Sequence, residues 1–448
     1  MLGSLPIGTT ACAKADEPQN NEMNGSKKKI IVIGAGLAGL AAAKLLKDNH
    51  HDVTVLEARS RIGGRIHTSN KWQDLSVDLG ATWIHGTRGN PLSSLADEIN
   101  AQRLNTFYAR SKTYATNGTE LDLNQTRRLE AIKDETYDLI EQAQNHDDVS
   151  IEQAVSAYRA RFAQSGQDAK YLDFILSSEM EQEYGGNAAE LSSHYWDSAK
   201  EFGGDDALFV KGFGAITQHL SNGQNIQLNQ IVKEIRWMSD KVKVMTETGE
   251  YDADQTIITL PLGVLKARKV AFTPELPRPI NQAIGRLSMG LLNKCYLRFS
   301  DAFWPGDVDW LEHIPANKGE WSEWVSFKRV ANVPVLLGFN AAQGAQAKEA
   351  LSDAQTVESA MAILRTIFGN NIPMPIDSQT TRWAGDEFAL GAYSFNPVGA
   401  TPETRETFAM PIANKLFFAG EAVHSEYFGT AHGAYLSGIA AAEKIISA

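Results

Sequence analysis

Three glycines, Gly34, Gly36 and Gly39, are spaced GxGxxG between a β-branched run at 30–33 and an Ala/Leu-rich stretch reaching about Lys47. In that context the first glycine makes a tight turn, the second lets backbone approach a pyrophosphate, and the third allows close helix–sheet packing. The helix that follows presents free N–H groups to phosphate at its positive end. Glu57 closes a second strand expected at 52–57, about 20 residues on, where a carboxylate can hold ribose hydroxyls. That carboxylate disfavours a 2′-phosphate, and NAD and FAD both fit. Arg61-Ile-Gly-Gly-Arg65 adds a second glycine turn flanked by cations, suited to phosphates or a flavin and equally to an ordinary basic turn.

Other reactive residues lie far apart in the chain. Lys294, in MGLLNKCYLRF, shares a strand face with Leu292, Tyr296 and Arg298, and pattern alone reads it as a lysine on a solvated face. Glu179, Glu181 and Glu183 form an acidic cluster, either solvated or set to meet a cation. His424 and His432 lack a third ligand at metal spacing, so no metal site is expected. No nucleophile–histidine–acid triad stands out.

The elements that must position these groups read as follows. Strands at 30–33 and 52–57 flank the glycine turn and its helix, giving one βαβ unit. Residues 91–170 read as inserted helices. A hairpin is expected over 241–260, its turn at Thr248-Gly249-Glu250 and its second strand at 256–260. A strand is expected at 291–299, helical periodicity at 347–368, a strand at 415–419 and a helix over about 433–446.

The 448 residues are 43% hydrophobic and 21% charged, ordinary globular usage that excludes global disorder. A net charge of −12 argues against nonspecific nucleic-acid binding and is compatible with a small cationic ligand. Two cysteines, Cys12 and Cys295, allow no disulfide framework. No apolar run reaches the roughly 20 residues of a membrane helix. Residues 1–15 end in Ala-Lys-Ala without a basic start, which fits a disordered tail or an export-signal remnant. The compartment is therefore read as cytoplasmic by default, exported or periplasmic in the second case.

The chain resembles the flavin-dependent amine oxidases. The resemblance is carried by GAGLAGL at 34–40, LEARSRIGGR at 56–65, DLGATWIHG at 78–86, KGFGAI at 211–216, TLPLGVL at 259–265 and FFAGEAVHSEYFGTAHGAYLSGIAAAEKI at 417–445. Within the family, GATWIHG and AHGAYLSG are most similar to the polyamine oxidases. The resemblance implies an α/β fold (α+β overall): a Rossmann-like FAD-binding domain from 29–92, 205–270 and 384–448, a substrate domain of mixed sheet and helices from 93–204 and 271–383, and a tail at 1–28. It implies FAD held by Gly34, Gly36, Gly39, Glu57, Arg59, Gly64, Arg65, Gly80, Ala81, Thr82, Trp83, Val232, Trp383, Gly420, Glu421, Gly429, Thr430 and Ala431. Family members with a tethered flavin carry a cysteine in the stretch matching Leu390–Ser394, where Ala392 stands here, so noncovalent FAD is expected.

The implied reaction moves a hydride equivalent from an amine α-carbon to flavin N5, leaves an imine for water to hydrolyse, and passes electrons to O2 as H2O2. Lys294 matches a lysine that holds a water against flavin N5, and Tyr393 an aromatic that stands beside the flavin and shapes the amine's approach. His85 matches a histidine at the substrate entrance, and Glu183 an acidic position at its mouth. Trp83 and Phe428 are offered as further aromatic contacts, and Thr430 stands where some members complete an aromatic cage. The expected substrate is a small polycationic amine of the spermidine and spermine class; the oligomeric state is left open. The rivals are a monoamine oxidase, an amino-acid oxidase, disfavoured because 81–84 offers no arginine and Arg88 is the sole nearby candidate, and a flavin scaffold without turnover. A chromatin-directed demethylase is disfavoured because the length leaves no room for the helical modules such proteins carry.

Overall fold

The computed structural model describes residues 27–162 and 165–447. Cys12 and residues 1–26 of the segment read as a tail or signal remnant lie outside the described residues. Five parallel strands form the sheet bearing the glycine turn, in the order Leu416–Phe418, Gln255–Ile258, Lys29–Ile33, Asp52–Leu56, Ile226–Gln227. Ile30 to Ile33 are all buried, as a β-branched run covered on both faces must be. On one face the helix Leu37–Asp48 packs along the helix Ala431–Ile446. Small residues let these backbones approach: a Cβ on Gly438 would stand 2.2 Å from the Ala38 carbonyl oxygen.

The other face is covered by a four-stranded sheet ordered Glu250–Ala253, Val242–Thr246, Val232–Arg236, Ala271–Thr273. This corrects the expected hairpin. Val242–Thr246 turns back into Glu250–Ala253, whereas Gln255–Ile258 lies beside Lys29–Ile33 in the parallel sheet. Burial separates the two: Glu250–Ala253 alternates exposed and covered residues, while all four residues of Gln255–Ile258 are buried, as a central parallel strand must be.

A mixed six-stranded sheet forms the second layer, ordered Asp377–Thr380, Leu292–Arg298, Val335–Ala341, Glu323–Ser326, Trp310–His313, Ser111–Tyr114. Its two faces feed separate cores. Cys295 and Leu297 point to one, while Tyr296 packs with Trp310, Leu337 and Phe339 in the other. The segment 91–170 is mostly helical, but it also holds the strands Arg103–Asn105 and Ser111–Tyr114, too short to leave a pattern. The periodic stretch at 347–368 is two helices, Ala342–Glu349 and Asp353–Phe368, separated where Ser352 caps the second and accepts from Gln355 N–H. Among the described residues no helix is long and apolar enough to cross a membrane, and no group of three His, Cys, Asp or Glu is placed to hold a metal.

Candidate active site

A cavity of about 840 Å³ is lined by the glycine turn, the mixed sheet and the start of the helix Ala431–Ile446. At the glycine turn the backbone is left-handed at Gly34 (φ +104°), and a Cβ there would meet Thr259 Oγ1 at 2.4 Å. Gly36 is the N-cap of Leu37–Asp48 and carries no side-chain cap, so the first-turn N–H groups stay free for an anion. Gly39 does not line the cavity. A Cβ there would lie 1.9 Å from the Gly34 carbonyl oxygen, so its part is to let the helix sit on the turn. Gly39→Ala is therefore expected to cost at least about 1–3 kcal/mol of stability and to lose bound dinucleotide, checked by thermal unfolding and by cofactor content after purification.

Glu57, buried, accepts from Ala35 N–H (2.7 Å) and Arg59 N–H (2.9 Å), which fixes its carboxylate beside the turn. Arg59 forms a two-pronged pair with Asp386 (2.9 and 2.6 Å) and lies over the Phe388 ring. Gly64, Ala81 and Val232 line the same stretch of cavity. At Gly80 the chain passes so close to Arg65 that a Cβ would stand 1.7 Å from its carbonyl oxygen. Arg65 in turn donates to Glu421 (2.7 Å) and to the Ala392 carbonyl (2.8 Å). Glu421 also accepts from the Ser394 hydroxyl (2.6 Å) and from Gly429 N–H (3.0 Å), which joins Gly420 and Glu421 to the start of the last helix. Its carboxyl is held low: burial pushes it up, but Arg65, Ser394 and Arg405 outweigh that.

Lys294 stands on a covered face, because the mixed sheet has protein on both sides. It is 5% exposed, and its ammonium donates to the carbonyls of Gly80 (2.6 Å) and Asp78 (3.1 Å) and to the Thr82 hydroxyl. Burial lowers its pKa from the ordinary lysine value, partly opposed by the Asp78 carboxylate. The indole of Trp83 lies 5.6 Å away. Trp383 donates its indole N–H to Leu79 O (3.0 Å), beside the same loop.

Tyr393 lines the cavity and is held by its hydroxyl, which donates to Gln182 O (2.7 Å); burial and Glu183 keep it protonated. Phe428 lines the cavity and rests on the Arg405 guanidinium, 4.1 Å from ring centre. Thr430 lines it too, but its hydroxyl is committed elsewhere. It caps the helix Ala431–Ile446, accepting from Gly433 N–H (3.0 Å) and donating to Tyr427 O (2.8 Å). The helix begins at Ala431, two residues before the expected start, and aims its N-terminus at the cavity.

The acidic run divides. Among Glu179, Glu181 and Glu183, only Glu183 lines the cavity. Glu179 pairs with Lys133 (2.5 Å) and Glu181 with Lys318 (2.9 Å). Residues 176–181 are wound as π-helix and Gln182–Tyr184 continues as α-helix, so side chains two apart leave on different sides. Glu183 instead joins Asp197, Glu201 and Asp206 on one wall. His85 pairs with Asp206 (2.8 Å) on that wall. Burial disfavours its charged form, but Asp206, Glu183 and Glu201 outweigh this and push its pKa up to about 9. The neighbouring carboxylates thus favour the protonated form of His85.

Several cavity residues escaped the sequence reading. Tyr108, Trp310 and Phe339, missed there, join the expected Trp83 in a continuous aromatic face, with Tyr108 and Trp310 stacked at 4.3 Å and Trp83 and Trp310 at 5.9 Å. Beside it stands Glu323, 8% exposed, which lines the cavity and has no hydrogen-bond or ion-pair partner among the described residues. Burial and neighbouring Glu312, Glu179 and Glu183 raise its pKa well above the ordinary value. Nothing local in WSEWVSF marks this glutamate.

Apart from Gly39, every residue assigned to cofactor, substrate or catalysis borders this one cavity. The open space at Gly36, the uncapped helix and the fixed Glu57 fit a dinucleotide. No cysteine among the described residues borders it, since Cys295 lies in the core behind the sheet.

Comparison with known proteins agrees. The family model described as flavin containing amine oxidoreductase matches residues 37–446. Polyamine oxidase 4 of Oryza sativa subsp. japonica is 34% identical over 440 residues, covering 94% of this chain and 88% of its own. Lysine-specific histone demethylase 1 homolog 1 of the same organism is 32% identical over 445 residues, covering 94% of this chain but 52% of its own, so the chain spans about half the length of that relative. A solved structure of putrescine oxidase bound to putrescine superposes with a TM-score of 0.77 at 20% identity, covering 94% of this chain and 99% of that one, a likeness of fold. With FAD as its cofactor, the chain belongs to the flavin-containing amine oxidoreductases.

Proposed function

We propose that the protein is an oxidase of aliphatic polyamines of the spermidine and spermine class, yielding an imine that hydrolyses to aldehyde plus amine, with O2 reduced to H2O2. The observation that carries this reading is Glu323: a buried carboxyl without a partner among the described residues, facing an aromatic-walled cavity. A buried acid of this kind calls for a cation from outside the chain. Flat apolar walls suit methylene chains and cation–π contact, and the wall of Glu183, Asp197, Glu201 and Asp206 favours a second positive charge.

When bound, FAD supplies a two-electron acceptor. The chain's own residues do the rest. Tyr393, anchored through its hydroxyl, limits the approach of the amine. The walls exclude water, which sharpens every charge inside. Lys294, with its pKa lowered by burial, has a neutral form whose lone pair can accept from a water and whose remaining N–H groups stay on the 78–82 loop. That water is then held for hydrolysis and reoxidation.

The two arginines lining the cavity, Arg59 and Arg65, are both paired with carboxylates, and Arg88 does not line it. This weighs against an amino-acid oxidase, which needs a free cation for its substrate. The similar identities to polyamine oxidases and demethylase homologs keep a methylated lysine peptide as the second reading. Anaerobic bleaching of the flavin decides: spermidine, spermine, their acetylated forms, monoamines, amino acids and a methyl-lysine peptide are each mixed with the protein. Bleaching by the polyamines is expected; bleaching by the peptide or amino acids alone would sink the reading. Glu57→Ala is expected to weaken FAD binding by roughly tenfold or more, measured by flavin fluorescence on titrating the apoprotein.

A further inference from the structure

Arg405 borders no part of the cavity, yet it is the one arginine among the described residues that is completely buried. It rises from the helix Pro402–Phe408. Its Nε donates to Asn396 Oδ1 (2.9 Å), and one terminal nitrogen donates to the Ser394 hydroxyl (2.8 Å) and to Ala422 O (3.0 Å). The other terminal nitrogen has no hydrogen-bond partner among the described residues. Burying a guanidinium costs several kcal/mol, and apolar residues of similar volume would usually fill such a space as well. A charge kept under those conditions calls for a reason beyond packing.

Its surroundings supply one. The Ser394 hydroxyl that accepts from Arg405 donates to Glu421, whose other oxygen takes Arg65. Two guanidiniums thus share one carboxylate, leaving net positive charge behind the wall. That wall consists of Ala392, Tyr393 and Ser394 on one side and Glu421, Phe428 and Gly429 on the other. Phe428 sits directly on the guanidinium face.

We propose that Arg405 is a positioning residue for the reaction: through Ser394 and Phe428 it fixes both sides of the wall around Tyr393, and its charge makes the bound flavin a stronger electron acceptor. A buried positive charge favours the electron-rich state of whatever occupies the adjoining cavity, and low dielectric lets that influence reach beyond contact. Burial lowers the Arg405 pKa to about 9, with Glu421 opposing, so the charge persists in neutral water.

The test compares Arg405→Met, Arg405→Lys and Ser394→Ala with the parent, each as FAD-loaded protein. The flavin midpoint potential is read with a chemical reductant, independently of which amine the protein oxidises, and anaerobic reduction by saturating amine is read separately. Arg405→Met is expected to lower the potential and to slow reduction roughly ten- to hundredfold, with little change in amine affinity. Arg405→Lys should restore the potential while leaving reduction slow, because an ammonium cannot reproduce the fork on Asn396 and Ser394. Ser394→Ala keeps both charges and breaks the link between them, and should fall between parent and Arg405→Met. A parental potential and reduction rate in Arg405→Met and Ser394→Ala would overturn the proposal. Should Arg405→Met fail to fold, parental values in Ser394→Ala alone would do so.

Discussion

Glu323→Gln is expected to raise KM for spermidine and spermine roughly thirty- to thousandfold, equivalent to about 2–4 kcal/mol, while a monoamine of matched length loses little. The amide keeps the shape and removes the charge that a distal ammonium would meet. The pH dependence follows from the direction of the shift. Glu323 holds its proton well above the ordinary carboxyl range, so binding a cation must expel that proton. Amine affinity in the parent should therefore weaken as pH falls and strengthen as it rises toward the raised pKa; in Glu323→Gln this dependence should vanish. Stability should move the other way. A carboxyl with a raised folded-state pKa stabilises the fold only at low pH and loses that contribution as pH rises, so Glu323→Gln should melt higher than the parent at neutral pH. A variant that binds amine poorly and melts higher separates loss of function from loss of fold. An unchanged KM for polyamines would remove the main support for the polyamine reading.

Lys294→Met should give an equally large effect on turnover. Loss of the group proposed to hold water is expected to slow flavin reoxidation by about a hundredfold or more, followed by stopped-flow mixing of reduced protein with O2. Anaerobic reduction by amine should suffer less. The thermal midpoint should fall, since methionine leaves the carbonyls of Asp78 and Gly80 and the Thr82 hydroxyl without their buried donor. With its folded-state pKa lowered, the lysine subtracts from stability most at acid and neutral pH, so the parent should gain stability relative to the variant as pH rises. A Lys294→Met protein that reoxidises at the parental rate would leave Lys294 with a structural role only.

How much of this was legible in the chain depends on how locally each feature is encoded. The glycine turn was readable because each glycine answers a constraint within a few residues, and the uncapped helix start at Gly36 follows from the same six positions. The continuous burial of Gln255–Ile258 was hinted at by its composition, but strand partners are set by tertiary packing, and the short spacing after the Thr248 turn pointed to the wrong neighbour. Lys294 shows the limit of periodicity. Alternation placed it correctly on one face of its strand, but could not tell that the face was covered. The acidic run was legible in part: Glu183, the member matched to the substrate entrance, lines the cavity, while Glu179 and Glu181 turn to lysines. Glu323, Trp310 and Asp206 were invisible because their importance comes from neighbours hundreds of residues away.

The strand Leu416–Phe418 and the helix Ala431–Ile446 have a consequence for how the protein is made. They supply the outer strand of the parallel sheet, the partner of the first helix and the residues 420–431 on the cavity wall. On the ribosome, the glycine turn emerges hundreds of residues before them. Until they arrive, the apolar faces of Leu37–Asp48 and Gln255–Ile258 have no lasting cover, and a half-made site has nothing to close on its cofactor. FAD capture thus waits until residues 416–446 have been made and have docked.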